Sequence, residues 1–388
     1  MNPLPLLRAE LRRAPRTAAA LVLLVSLAVA LAVGVVAFER ALRRGSTDAA
    51  APFDLLVGAA GSPTQMVLTS VYLQPAQLPP LDGTSWSKLT RRPDVAGASP
   101  LIISDTWRGY PVVGTTSTMV TRLTRSTAGV PAFKAADEAI VGADVPLDVG
   151  AAFQSAHGTE GPDHTTLPYH VIKRLPPLGT PYDRAIIVPV ESVWMLHGFG
   201  NGHSDAAALG APWDETPPPV SALVISPRQT ADAFRIRADA RKDGMVAAFP
   251  AEELTRLYSL LGQARDAARD VSLGAALLVA LAALVAAAVH LNAAASRLAL
   301  LRALGAPRSY VLLAAWSLGA GLLSTGAILG LPLGLLLVLG ARAAAASAWG
   351  LHLPFEIGTA ELGVAFGAAV AGALLAFLPA ISAYRRAP

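Results

Sequence analysis

The stretch SYVLLAAWSLGAGLLSTGAILGLPLGLLLVLGA, from Ser309 to Ala341, contains no charged side chain and is bounded by Arg308 and Arg342. A helix that is apolar on every face has no side to turn toward water, whereas in lipid it satisfies its own backbone and needs none. A hydrocarbon core about 30 Å thick is crossed by roughly 20 helical residues. The run exceeds that length, so it is expected to tilt or to emerge beyond the lipid. Pro332 is a candidate kink within it.

Three more runs pass the same test: Thr17 to Phe38, Val271 to Leu291, and Leu362 to Tyr384. The 388 residues are 53% hydrophobic, with a mean hydropathy of +0.48, and the apolar excess sits at the two ends of the chain. The predicted fold is an α-helical membrane protein with four transmembrane helices in a 1 + 3 arrangement. A large α+β extracytoplasmic domain lies between helices 1 and 2. The predicted segments are a cytoplasmic amphipathic stretch 1–16, a first span 17–38, a periplasmic domain with stalk helices 39–268, and a second span 271–291. They continue with a cytoplasmic elbow 292–308, a third span 309–341, a short periplasmic segment 342–361, a fourth span 362–384 and a cytoplasmic tail 385–388.

Basic residues in short flanks stay on the cytoplasmic side. Arg8, Arg12, Arg13 and Arg16 precede the first span, Arg297, Arg302 and Arg308 fill the loop before the third, and Arg385 and Arg386 follow the fourth. Both termini are therefore expected in the cytoplasm, despite Arg40, Arg43 and Arg44 just after the first span. Residues 1–32 also resemble a signal peptide, but an apolar run of this length favours a retained span. No cysteine is present, so no disulfide forms. The formal charge of +4 belongs mostly to the membrane flanks and implies no nucleic-acid partner.

Between the first two spans the sequence reads as short strands separated by turn residues: Asp54–Val57, Leu101–Ser104, Tyr110–Gly114, Glu138–Val141, Tyr169–Lys173 and Ala185–Val190. A more regular strand–helix–strand–helix order follows, over Ser221–Ile225, Gln229–Lys242, Met245–Phe249 and a helix from Pro250 that is expected to run as a stalk toward the second span. Pro75–Pro80, Gly158–Asp163, Gly198–Asp205 and Pro217–Pro219 read as loops.

The strongest local signal is RLALLRALGAPR, Arg297 to Arg308. Leu298, Leu301 and Leu304 share a helical face, Gly305 suits the position just past a helix end, and Pro307 suits the first turn of the next helix. A helix, a sharp elbow and a return into the membrane result, and a short amphipathic helix there can dock in a groove of a cytosolic partner. A tight loop on the headgroups is the plainer reading. Gly326, Gly330 and Gly334 repeat at four-residue spacing in the third span, and Gly363 and Gly367 in the fourth. Such small faces let helices approach closely in lipid.

This pattern resembles the FtsX/MacB-like permease family, whose members carry an R-x-x-E-x-A-x-L-R-A-L-G-A type motif after their second span. Ala299, Leu301, Arg302, Ala303, Leu304, Gly305 and Ala306 match it, while Arg297 stands about where the family usually has Glu. The segments Asp54–Pro63 and Gly109–Thr115 look like the family's first periplasmic strands and turns, and the order of one span, a large domain and three spans agrees. The resemblance implies an inner-membrane ABC transporter subunit without an ATPase domain of its own. Arg297, Leu298, Leu301, Arg302, Ala303, Leu304, Gly305 and Arg308 would contact a cytosolic ATPase dimer. It also implies a second copy or homologue of the chain, and a periplasmic or outer-membrane partner.

No G-x-x-x-x-G-K-[ST] loop occurs, and the four lysines, Lys88, Lys134, Lys173 and Lys242, all fall in the predicted ectodomain. ATP and Mg²⁺ are thus expected on a partner chain, with no cofactor and no catalytic residue on this one. Neither H-E-x-x-H nor G-x-S-x-G is present. His157, His164, His170, His197 and His203 lie in the ectodomain, where zinc would need three or four ligands brought together. Their spacing fits no closed motif, so solvated loop histidines are expected, with His157, His164 and His170 the candidates if a site exists. His290 is expected to snorkel at the inner end of the second span. A sensor or regulator of a cell-wall enzyme shares this topology, as would a membrane-tethered enzyme.

Overall fold

The computed structural model describes residues 4–126, 131–157, 167–214, 216–260, scattered positions between 270 and 303, 305–349 and 353–386. The chain divides into two compact units, one of residues 1–42, 261–344 and 355–388, the other of residues 43–260 and 345–354.

In the first unit a short helix α1, Leu4–Arg13, ends in Arg12 and Arg13, where basic side chains suit the negative end of the helix dipole. Helix α2, Pro15–Ala50, continues past Phe38 through Glu39, Arg40, Arg43 and Arg44, and its last residues, from Arg43, belong to the second unit. Three helical stretches among the described residues are long and apolar enough to cross a membrane: Pro15–Ala50, Arg308–Ala346 and Thr359–Ile381. Of the expected second crossing, 271–291, the twelve described residues are all helical, while His290 and the join from the helix at Pro250 to that crossing lie outside the described residues.

The long apolar run lies within one helix that passes through Pro332. The fourth run divides into Thr359–Leu375 and Phe377–Arg386. Pro379 explains the division: it has no N–H to give the carbonyl of Leu375, so the ladder is interrupted around Ala376.

The second unit is built on one mixed sheet. Its strands are β1 Leu55–Gly58, β2 Val95–Trp107, β3 Tyr110–Thr115, β4 Glu138–Val141, β5 Ala152–Phe153, β6 Ala156–His157, β7 Tyr169–Arg174, β8 Ile186–Pro189, β9 Ala222–Pro227 and β10 Val246–Ala248. They lie in the order β10-β1-β9-β2-β3-β8-β4-β7-β5, with β6 paired to β2. Neighbours are antiparallel except β3 with β8 and β4 with β7. Strand β2 is the spine, pairing with β9 through its first half and with β3 through its second. Its register slips between Ile103 and Asp105, a β-bulge that leaves Ser104 as the extra residue.

The pleat sorts the apolar side chains into two cores. Leu55, Val57, Ile186, Val188, Leu223 and Ile225 point to one face, and Leu56, Ile140, Ile187, Ala222 and Val224 to the other. Short runs with no polar residue therefore form strands buried on both faces. Helices cover each side. Met66, Val67 and Val71 of Pro63–Tyr72 (α3) and Met119, Val120 and Leu123 of Ser117–Thr124 (α5) join the second core. Trp86 of Gly83–Thr90 (α4), Val193 and Trp194 of Val190–Leu196 (α6), and Ile236 of Thr230–Lys242 (α7) join the first.

The first core centres on three tryptophans. The Trp86 ring lies 6.2 Å from that of Trp194 and 5.2 Å from that of Trp213. A buried indole needs an acceptor for its N–H. The proline loop supplies two, as Trp86 Nε1 donates to Pro218 O at 3.0 Å and Trp194 Nε1 to Pro219 O at 2.9 Å. Trp213 Nε1 donates to the buried Glu191 at 3.0 Å. Trp86→Ala should destabilise the unit by about 3–5 kcal/mol, whereas Val149→Ala, at an exposed position, should stay within about 0.5 kcal/mol. Thermal unfolding of the full chain in detergent, followed by tryptophan emission, checks both. Equal midpoints would contradict this core.

Candidate functional site

Further helices among the described residues are α8 Pro250–Leu260, α9 Arg308–Trp349, α10 Thr359–Leu375 and α11 Phe377–Arg386. Within the first unit, α9 turns its glycines onto α2. A Cβ at Gly326 would stand 2.6 Å from Val25 Cβ, one at Gly330 would stand 2.6 Å from Val29 Cβ, and one at Gly334 would stand 2.7 Å from Ala30 O. Real Cβ atoms do not tolerate such distances, so only glycine permits this approach. Ser26 Oγ of α2 lies 3.0 Å from Gly326 O and 2.8 Å from Val22 O, and its single proton serves both.

A Cβ on Gly363 or Gly367 meets nothing within 4 Å, so among the described residues these two glycines do not mediate the close packing expected of them. The tight spot of α10 is Gly372 instead, where a Cβ would lie 3.0 Å from Leu323 Cβ. Nearby, Trp316 Nε1 donates to Ala373 O at 2.8 Å.

Glu361, in the first turn of α10, is completely buried. It accepts from Gly358 N at 2.9 Å and from Arg40 of α2 at 2.8 Å, and Arg40 also donates to Glu356 O. Basic residues following a span argue locally against an outward-facing end, yet Arg40 here serves a buried carboxylate.

Of the elbow, Arg297, Leu298, Leu301, Arg302 and Leu304 lie outside the described residues. Ala303 is helical and exposed. Gly305 occupies the left-handed region at φ +93°, where a side chain is strained. Helix α9 begins at Arg308, and Tyr310 N donates to Pro307 O at 3.1 Å. The chain thus turns sharply at Gly305 and re-enters a helix after Pro307.

The three histidine candidates separate. His170 Nδ1 pairs with Asp137 at 3.1 Å on the surface, and His164 lies outside the described residues. His157 does meet partners, but they are Asp105 and His197. Strand β6 places His157 opposite Asp105 of β2, and His197 caps the C-terminus of α6. His157 Nδ1 lies 3.2 Å and His197 Nε2 3.5 Å from the same oxygen, Asp105 Oδ1. The ligand atoms of the three side chains all fall within 4.8 Å of one another. Side-chain exposure runs from 1% for Asp105 through 23% for His197 to 50% for His157. The hydrogen bond to Asp105 raises the His197 pKa above its usual value. The strand expected from the sequence ends at Ser104, one residue short of Asp105, whereas the observed strand continues to Trp107. The available signal was a carboxylate directly following an apolar strand run. His203 faces Glu191 at 3.5 Å, a carboxylate already engaged by Trp213 and by Gly210 N.

No family model matches the chain, and no curated protein does. Among solved structures, the periplasmic region of MacB from Actinobacillus actinomycetemcomitans aligns over 54% of this chain and 94% of that one, at 7% identity and a TM-score of 0.31.

The helix contacts give two expected outcomes. Gly330→Val should cost about 1–3 kcal/mol by overpacking, while Gly340→Val in the same helix, where a Cβ meets nothing, should be nearly silent. Detergent unfolding midpoints decide between them. Arg40→Met should cost roughly 3–5 kcal/mol by stranding Glu361, and adding Glu361→Gln should recover much of that loss. A double variant no better than Arg40→Met alone would show that the ion pair is not what stabilises this end.

Proposed function

We propose that this chain is the membrane subunit of an ATP-driven complex of the ABC type, set in a bacterial inner membrane with its α+β domain in the periplasm. The observation that carries this reading is the order of parts. A membrane-capable helix leads into a sheet domain, and an elbow that turns at Gly305 leads into a second long apolar helix. The sequence of that elbow, RLALLRALGAPR, resembles a family coupling helix. With no phosphate loop on this chain, ATP and Mg²⁺ would be held by a cytosolic ATPase dimer docked at the elbow.

Two copies of the chain, or one with a homologue, would pair in the bilayer. The motion of the ATPases would be relayed by the helices to the periplasmic domain, which handles cargo or a periplasmic or outer-membrane partner. Export and lipoprotein or lipid trafficking both fit this mode. The main helices carry no charge within their apolar runs, whereas polar solute paths through a membrane usually need charged or polar linings.

Co-purification tests the reading. An ATP-binding protein should accompany the detergent-solubilised chain, and Leu301→Asp with Arg302→Glu should reduce that association at least about tenfold, the loss expected when an apolar anchor in a groove becomes a charge. Membrane insertion should be unchanged. If no ATP-binding protein accompanies the unmodified chain, the transporter reading falls and a sensor or regulator replaces it.

A further inference from the structure

Asp105, His157 and His197 take no part in the coupling proposed above, and their geometry calls for its own explanation. His197 Nδ1 lies 2.7 Å from Val193 O. A carbonyl only accepts, so Nδ1 carries the proton and donates it there. Nε2 is thereby the atom turned to Asp105 Oδ1, 3.5 Å away, where it can hold either a proton or a metal ion against the carboxylate. His157 Nδ1 aims at the same oxygen from 3.2 Å. A proton on each imidazole answers its own contact with Asp105 singly, whereas one metal ion serves all three ligand atoms together.

We propose that Asp105, His157 and His197 form a binding site for a divalent transition metal of the zinc class, with three protein ligands and a fourth position open to water or an outside ligand. Bonds of about 2.0–2.2 Å in a tetrahedron set neighbouring ligand atoms roughly 3.3–3.5 Å apart. The two distances to Asp105 Oδ1 match that edge. The remaining gap closes through His157, whose side chain is half exposed. Two imidazoles and a single carboxylate suit zinc, copper or nickel, while calcium and magnesium require more oxygen ligands.

The surrounding structure orients the ligands as metal sites require. The Val193 carbonyl holds the His197 tautomer with Nε2 available, the role of an outer-shell partner. Asp105 is fixed by the strand β2, and the exposure of His157 provides a path for an ion. Among the described residues, the other histidine–carboxylate contacts lack this convergence: His170 has a single surface carboxylate, and Glu191 is already committed to Trp213 and Gly210. The site is independent of the transport reading and stands or falls separately.

The test uses the full chain in detergent, free of any affinity tag and stripped with a chelator. Zinc chloride alone should bind at about one equivalent per chain by elemental analysis and raise the thermal midpoint. Cobalt(II) should give the visible bands of a four-coordinate site. His157→Gln and His197→Gln should each weaken zinc binding at least about tenfold, while His170→Gln should bind as the unmodified chain does. His157→Gln alters a half-exposed side chain, so circular dichroism should show its fold unchanged and keep the comparison valid if Asp105→Asn fails to fold. Three results would overturn the proposal: no retention of zinc or cobalt, binding that survives the His157→Gln/His197→Gln double variant, or a preference for magnesium over zinc.

Discussion

The contact of α9 with α2 sets the terms for the membrane-capable unit. In lipid, apolar side chains gain nothing by leaving one hydrocarbon for another, so association depends on how closely two backbones fit. The glycines at 326, 330 and 334 present a flat strip, and Val25, Val29 and Val33 of α2 sit against it. Valine suits this role because its χ1 is nearly fixed in a helix, so little side-chain freedom is lost on packing. The same approach brings Ser26 within reach of a helix carbonyl, a contact that bulkier residues along the strip would prevent.

The buried pair of Arg40 and Glu361 works by a different physics. A carboxylate with no exposed surface is costly unless its charge is met, and Glu361 meets it with both a guanidinium and the backbone N–H of Gly358 at the start of its own helix. Such a pair contributes little net stability compared with an apolar substitute, but it penalises every arrangement that separates its members. The glycine strip therefore governs how near α2 and α9 lie, and the ion pair governs which end of α10 belongs beside α2.

Much of this was legible in the sequence. Length without charge located the apolar helices, and the predicted strands at 54–57, 110–114, 138–141, 169–173 and 185–190 each overlap an observed one, because short all-apolar runs between turn residues have few alternatives to a buried strand. The helices α3, α4 and α5 were not anticipated. Their sequences are rich in Thr, Ser and Val, which favour helix weakly, and the signal lay at their starts: Ser62, Asp82 and Thr116 each accept a backbone N–H as N-caps. The break at Ala376 was also readable from Pro379. The meeting of Asp105, His157 and His197 was not, because it depends on the pairing of strands 52 residues apart in register and on where α6 ends.

The bulge at Ser104 has a consequence of parity. Along an unbroken strand, Leu101, Ile103 and residue 105 would share a face, the side of the second core to which Leu101 belongs. The inserted residue advances the count by one, so Asp105 pairs with Val112 and, with Trp107, shares the side of the first core. That is the side on which α6 packs through Val193 and Trp194. A single backbone irregularity thus acts as a frameshift written in space. It leaves every residue's identity unchanged and yet determines which neighbours a carboxylate will have, and a related chain with the same three side chains but a regular strand would hold them on opposite sides of the sheet.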